Sequence, residues 1–338
     1  MIFPQKGTAL APMRALTQAP FWRLLNRYGA PDAYFSEFVR VHEHYLIESI
    51  WIEEALAAVE GRPLWVQLMG NDLRSLEASI RILEQYPIAG IDFNVGCPVP
   101  KIFKKQTGGG LLRDLPLLRS LLLGLRQICT KPLSVKFRIG FDSDKDFETI
   151  LNILIESQVD FATLHARTVS NLYKGQARHD FTTKAVHYCP FPILANGDIY
   201  SISIMKNVLD STHCHGLMIG RGALINPWIF KQWQQFQNHS PIQYPLFSEV
   251  LSYLDELYRT FEVNAKKELT ALGILKRFTN YIGLSIDPQG TFLQAMRRSC
   301  TLKEFWETCT TFLLREPQKL FIGIPFPDLY AQPNKEGL

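Results

Sequence analysis

Short apolar runs, mostly β-branched or aromatic, recur at Thr8 to Leu10, Ala33 to Ser36, Leu64 to Leu68, Gly90 to Val95, Leu133 to Phe137, Phe161 to Leu164, Pro192 to Ala195 and Gly216 to Ile219. Their length and composition predict strands. Successive runs lie about 25 to 40 residues apart, enough for a helix to return, so an α/β (β/α)8 TIM barrel is expected rather than a six-stranded open sheet. After Pro227-Trp228 the rhythm changes. The polar, proline-bearing stretch Gln235 to Pro245 predicts a linker. Beyond it, Val250, Leu251, Leu254, Leu257, Tyr258 and Phe261 keep a helical period, as do Leu302, Phe305, Trp306, Cys309, Phe312 and Leu313. The expected organisation is a barrel domain over 1–235 and a small α-helical domain over 245–330.

Composition narrows the class. Of 338 residues, 46% are hydrophobic and 20% charged, as in soluble globular proteins, and no uncharged apolar run approaches the roughly 18 residues of a membrane span. The start, Met1-Ile-Phe-Pro-Gln-Lys, lacks the basic-then-apolar plan of a secretory signal, so a cytoplasmic location without membrane attachment is expected. Six cysteines show neither a disulfide framework nor a CxxC pair, and reduced thiols follow. A net charge of +4 is too small to name a partner.

The residues that end each predicted strand carry the chemistry. They read Ala11-Pro-Met13, Glu37-Phe-Val-Arg40, Gln67, Asn94-Val-Gly-Cys-Pro98, Lys136-Phe-Arg138, His165-Ala-Arg-Thr168, Asn196-Gly-Asp-Ile199 and Gly220-Arg-Gly222. In a barrel these clusters share the C-terminal rim, where active sites form. Asn196, Gly197 and Asp198, with Gly220 and Arg221, have the make-up of a phosphate site: glycines admit backbone N–H groups to an anion and arginine adds a charged fork. A single glycine cluster is more often a tight turn, but two at the last two strand ends favour the anion.

The ordered set "APM", "QLMG", "NVGCPVPK", "GGGLL", "VKFR", "LHART" with "YKG", "NGDI" and "IGRGAL" resembles the tRNA-dihydrouridine synthases over residues 9 to about 225. The fragments "SEFVR" and "LKRF" are most similar to the bacterial C-type branch. Two positions depart from the family pattern: Arg14 stands where an acid is common after APM, and Ala166 where "HGRT" has glycine. The resemblance implies an FMN-dependent barrel enzyme, with the cofactor reduced by NADPH or NADH. It also implies that Pro12, Met13 and Arg14 border the flavin, that Gln67 bonds its pyrimidine edge, and that Lys136 and His165 meet its polar side.

Reduction of a uracil 5,6 double bond needs hydride at C6 and a proton at C5; hydride must come from a cofactor, while the proton can come from a general acid. Cys97, between Gly96 and Pro98 in a polar strand-end loop, is the expected acid, since a thiol with an ordinary pKa of about 8.5 is protonated at neutral pH. Most free cysteines are small buried hydrophobes, and Cys129, Cys189, Cys214, Cys300 and Cys309 are read that way. A lysine ending an apolar strand, as Lys136 does, is costly unless an anion or electron-rich ring lies nearby. His213-Cys-His215 is not read as a metal site, because adjacent residues rarely converge on one ion.

RNA contacts are expected from Arg40, Asn94, Lys101, Arg167 and Tyr173, and from the tail through Lys276, Arg297 and Arg298. The window Asn264 to Lys303 holds seven basic residues against Glu268 and Asp287, a concentrated basic patch. Leu272, Leu275, Phe278 and Ile282 recur near helical spacing, so Lys276 is expected to face outward. The partner implied is tRNA, bound by a monomer. A small-molecule FMN oxidoreductase resembling dihydroorotate dehydrogenase would share the phosphate rim but leave the basic tail and the Lys101, Lys104 and Lys105 loop unexplained. A non-catalytic RNA-binding barrel would leave Cys97 and Lys136 unexplained.

Overall fold

The computed structural model describes residues 2–43, 47–262 and 268–325. Its strands are β1 (Gly7–Leu10), β2 (Ala33–Phe35), β3 (Val39–Arg40), β4 (Leu64–Met69), β5 (Gly90–Val95), β6 (Leu133–Arg138), β7 (Phe161–His165), β8 (Ile193–Asn196) and β9 (Gly216–Ile219). The eight expected runs coincide with eight of these to within one residue at either end. All pairings are parallel, and β2 pairs with both β1 and β4 while β9 pairs with β1, so eight strands close into a barrel.

The additional strand, β3, carries on the line of β2 against β4, with Arg40 opposite Met69. At the break, the Ser36 hydroxyl accepts from the Gln67 backbone N–H at 2.9 Å and donates to the Glu37 carbonyl at 2.9 Å. A side chain thus stands in for a ladder carbonyl, and the chain bulges for three residues before pairing resumes. No apolar run marks "EFVR", so Arg40 is in this short strand rather than just past a strand end.

Strand alternation sorts the barrel interior into layers. The lower layer is apolar: Phe3, Ala9, Ala33, Phe35, Trp65, Phe161, Leu194 and Met218 form one buried cluster. Trp65 stacks on Phe35 with ring centres 5.9 Å apart and meets Phe161 edge-on at 4.7 Å. Its indole occupies the space beside Gly90, where a Cβ would lie 2.3 Å from Trp65 Cζ3 and 2.5 Å from the Pro132 carbonyl oxygen. One step along the strands, Gln67, Asp92 and Ser134 stand opposite one another, and a further step brings Asn94 opposite Lys136. The interior therefore turns from aromatic floor to polar mouth over a few residues.

Two compact units emerge from internal contacts. One holds all nine strands; the other gathers Ala19–Ala30, Ile199–Ile204 and the chain from Arg221 onward. In the second unit the helix Ala19–Tyr28 packs with the C-terminal helices: Phe21 lies 5.1 Å from Phe278, and Tyr28 lies 5.3 Å from Tyr253. Helices Phe247–Glu262 and Leu302–Leu313 cover the two segments of helical period. The expected linker is partly helical, because Gln235 to Gln237 complete the helix Ile229–Gln237. Among the described residues no helix is long and apolar enough to cross a membrane.

Gly90→Ala should destabilise the barrel by about 2 to 3 kcal/mol, since both Trp65 and a backbone carbonyl must move. Thermal unfolding should show a drop of several degrees; an unchanged midpoint would mean that the floor is loosely packed.

Candidate active site

The mouth is organised around the turn that follows β5. The Asn94 side-chain oxygen accepts from the Gly96 N–H at 3.1 Å and the Cys97 N–H at 2.9 Å, bending the chain sharply beyond Val95. Cys97 is left 9% exposed and packs with Met69 and Ile102. Burial pushes its thiol above the ordinary pKa, against weaker pulls from the Val99 backbone N–H and the charges of Arg138, Lys136 and Arg14. The group is held as a neutral thiol.

The triple glycine in the sequence serves this loop. Gly108 has φ +56°, and a Cβ there would lie 2.9 Å from the Cys97 Cβ and 3.1 Å from the Met69 sulfur. Gly109 donates its N–H to the Cys97 carbonyl at 3.1 Å. Only unsubstituted backbone allows the turn Gly108–Arg113 to lie so close against the thiol's own residue. Lys101, Lys104 and Lys105 are exposed beyond it.

Below the turn runs a buried chain of hydrogen bonds. Asn94 Nδ2 donates to Gln67 Oε1 at 2.7 Å, Gln67 Nε2 donates to Asp92 Oδ2 at 2.6 Å, and Ser134 Oγ donates to Asp92 Oδ1 at 2.6 Å. Gln67, Asp92 and Ser134 are fully buried. Desolvation raises the Asp92 carboxyl to about 6, opposed by the hydrogen bonds from Gln67 and Ser134 and by the charge of Lys136. Asp92 was not among the sequence candidates. Its signal was an acid two residues before Asn94 in an apolar strand, which alternation puts on the same interior face.

Three cations surround the site with different duties. Lys136 Nζ donates to Asn196 Oδ1 at 3.0 Å, and burial with help from the nearby Arg138 charge lowers its pKa to about 8. Asn196 in turn donates to the Met218 carbonyl at 2.7 Å. Arg138, 1% exposed, ties two loops together by donating to the carbonyls of Gly96 (2.9 Å), Thr168 (2.7 Å) and Leu172 (2.7 Å), with Tyr173 stacked 5.5 Å from its guanidinium. It too escaped the candidate residues, though it closes the quoted "VKFR".

Arg167 was expected to face RNA. It is 3% exposed and spends its guanidinium on the carbonyls of Lys174 and Gly175 and on Asp198 Oδ2 at 2.6 Å, with His165 Nε2 at 3.3 Å. Asn94, expected in the same role, is 6% exposed and bonded at both ends of its amide. A side chain so committed positions its neighbours rather than reaching a macromolecule. Asp198 also accepts from the Ala177 N–H at 2.8 Å.

The loop after β1 is pinned as well. Thr17 Oγ1 accepts from the Met13 N–H at 2.7 Å, and Glu37, raised to about 7 mainly by burial, accepts from the Leu16 N–H at 3.2 Å. Pro12 is half-buried, Met13 is buried and Arg14 is exposed. Gly220 lies beside Met13, a Cβ there falling 3.2 Å from the sulfur. Arg221 opens a short helix of the second unit, its guanidinium 5.5 Å from the Tyr200 ring.

Within the helical unit, Lys276 does not point outward. Its ammonium donates to the Arg297 carbonyl at 2.9 Å and to the Ser299 carbonyl, closing the C-terminal end of the helix Thr291–Arg298. Arg297 Nε donates to Asn280 Oδ1 at 2.6 Å, and Asn280 Nδ2 donates to the Lys276 carbonyl at 2.7 Å. Helical spacing alone missed that helix ends are rich in orphan carbonyls. Arg297 and Arg298 are exposed, while Lys266 and Lys267 lie outside the described residues.

A closed parallel barrel with its polar groups gathered at the C-terminal ends of the strands has the architecture of a barrel enzyme. A family model described as "Dihydrouridine synthase (Dus)" matches residues 9–316, and the chain belongs to that family. It is 30% identical over 306 residues to tRNA-dihydrouridine synthase B of Pasteurella multocida, covering 87% of this chain and 89% of the relative. It is 27% identical to tRNA-dihydrouridine(16) synthase of Neisseria meningitidis serogroup A over 85% of this chain and 89% of that one. Among solved structures it is similar to an old yellow enzyme homologue from Zymomonas mobilis (TM-score 0.50, 12% identity, 70% of this chain and 90% of that chain). It is also similar to a 2-naphthoyl-CoA reductase (TM-score 0.54, 12% identity, 69% and 50%). At such identities the likeness concerns the fold alone.

Lys276→Ala should cost the helical unit about 1 to 3 kcal/mol, since two helix-end carbonyls lose a charged donor. Arg298→Ala should be close to neutral. Differential scanning calorimetry of both variants separates the two; equal shifts would reduce Lys276 to an ordinary surface lysine.

Proposed function

We propose that the barrel mouth binds FMN and that the protein reduces a tRNA uridine to 5,6-dihydrouridine, with Cys97 as the proton donor. The donor set fits the cofactor. Lys136 sits partly desolvated at the mouth with a lowered pKa, a cost that an electron-rich ring or anion offsets. The one nearby acid in the loop after β8, Asp198, is occupied by Arg167 and Ala177, so it does not contest a phosphate at the Asn196-Gly197-Asp198 backbone and Gly220. Arg221, next in the chain, is assigned to the same phosphate from the sequence. Pro12, Met13 and Arg14 would border the ring, with Lys136 and His165 on its polar side; Gln67, expected there from the sequence, is wholly buried with both ends of its amide bonded to Asp92 and Asn94, and acts beneath the ring instead.

When bound, FMN reduced by NADPH, or alternatively by NADH, would supply the hydride for uracil C6, a role no side chain can take. Cys97 gives its Sγ proton to C5 and becomes a thiolate, which the positive charges of Lys136, Arg138 and Arg14 favour. The same residue must recover a proton before the next turnover. Asn94 and Arg138 hold the loop that carries it, through the Cys97 and Gly96 backbone. Arg40, Lys101, Tyr173, Arg297 and Arg298 are the tRNA contacts in this reading, and Lys276, Asn94 and Arg167 act by shaping the surfaces beside them. The C-type likeness favours uridine 16, the position in the name of the Neisseria relative; in this reading the protein is a monomer and, from its composition and N-terminal pattern, cytoplasmic. The observation that carries the reading is a thiol, Cys97, buried in the turn after β5 at the mouth of the barrel, where the charges of Arg138, Lys136 and Arg14 act on it.

Cys97→Ala should leave NADPH able to bleach the flavin while dihydrouridine formation falls by roughly 10² to 10⁴, the contribution of a positioned general acid. Stopped-flow absorbance and a tRNA assay measure the two halves; normal tRNA reduction by the variant would move the proton donor elsewhere.

Flavin affinity should also depend on pH. The Lys136 ammonium is present below about 8 in the ligand-free protein, and a partner that favours the charged form raises that value on binding. Affinity should therefore fall as pH rises above about 8, by at most about tenfold per unit. Fluorescence titration of apoprotein with FMN from pH 6.5 to 9.5 reads this, and Lys136→Met should flatten the dependence; the same slope in both would assign it to another group.

A further inference from the structure

We infer that Asp92 is a positioning residue for the proton-donating thiol, acting on Cys97 through Gln67 and Asn94. The inference rests on the reading of Cys97 as the general acid. Its basis is the directionality of the buried chain. At one end the backbone N–H groups of Gly96 and Cys97 can only donate. At the other, the ionised Asp92 carboxylate can only accept, and it takes bonds from both Gln67 and Ser134. Between these ends lie two carboxamides, each able to flip in isolation.

With both ends committed, one arrangement satisfies every bond. Asp92 claims the Gln67 amino group, which turns Gln67 Oε1 toward Asn94. That oxygen claims the Asn94 amino group, which turns Asn94 Oδ1 toward the Cys97 turn. Without an acceptor at position 92, Gln67 is free to flip. Asn94 would then face a donor instead of an acceptor, and the turn would lose the oxygen that holds two of its N–H groups. Gln67 and Asp92 are wholly buried, so water does not readily replace the missing acceptor.

A competing role for Asp92 is a counter-charge to Lys136, which acts on it as a nearby charge while hydrogen-bonding to Asn196. The two roles part at Asp92→Asn. An asparagine keeps an acceptor oxygen for Gln67 and can turn its amino group to the Ser134 hydroxyl, so the chain survives while the charge is lost. Asp92→Leu removes both.

The test uses the flavin-loaded protein as purified, with iodoacetamide as probe and peptide mass analysis to quantify Cys97 separately from the other five cysteines. Asp92→Leu should raise the Cys97 alkylation rate about tenfold or more and lower tRNA kcat by about 10- to 100-fold, with NADPH bleaching of the flavin within about threefold of wild type. Asp92→Asn should restore most of both. Wild-type alkylation and turnover in Asp92→Leu would overturn the inference. So would equal losses in the Leu and Asn variants, which would assign the effect to charge, or a parallel loss of flavin bleaching, which would assign it to general scaffolding. Should Asp92→Leu fail to fold, Ser134→Ala removes one donor to Asp92 far from the thiol; a smaller rise in Cys97 alkylation supports the chain, and no change overturns it. Alkylation reports loop order whichever group donates the proton, so failure of the general-acid reading, seen in Cys97→Ala, is a separate result.

Discussion

Inside a closed barrel a polar atom has no bulk water to turn to, and this demand for partners shapes the mouth. The interior changes from Trp65, Phe35 and Phe161 to Gln67, Asp92 and Ser134 in a single alternation step. Gln67, Asp92 and Ser134 are paired with one another in that space, and the pairing runs upward through Asn94 to the backbone of Gly96 and Cys97. Local conformation at the thiol is thereby tied to a carboxylate in the next interior layer. The glycine triplet meets the turn from the other side, filling with backbone the room that side chains would have taken.

Charge is arranged under the same restriction. Arg138 and Arg167 are nearly inaccessible, and each distributes its planar fork over several carbonyls, which suits arginine and not lysine. They stitch the loops after β5, β7 and β8 together. Lys136 carries a point charge with one amide oxygen for a partner and is correspondingly easier to deprotonate. A basic residue in this mouth is therefore a poor guide to ligand contact until its own partners are counted. The helical unit repeats the lesson: Lys276 closes a helix end, while the exposed Arg297 and Arg298 follow it in the same basic segment.

The strands, their order and the barrel class were legible from the sequence because burial on both faces leaves short, nearly continuous apolar runs, and because the spacing between runs fits a returning helix. Cys97, Lys136 and the glycine-rich strand ends were legible for a related reason. Polar residues that interrupt apolar strands at their C-terminal ends share one rim in any parallel barrel, so position along each strand suffices to group them. The short strand β3 was hidden, since two residues paired across a bulge leave no periodic trace.

What the sequence by itself determined is which residues line the barrel and which strand ends carry chemistry, since alternation and chain direction follow from covalent geometry. What only the tertiary structure decided is how those side chains are spent. Asn94, Arg167 and Lys276 read alike as available polar groups, yet each is consumed by backbone atoms distant in the chain or across a turn. Asp92 drew no reading from the sequence, yet it anchors the chain beneath the thiol. Hydrogen bonds depend on distances of a few tenths of an ångström between groups that sequence separates by tens of residues, and only folding sets those distances.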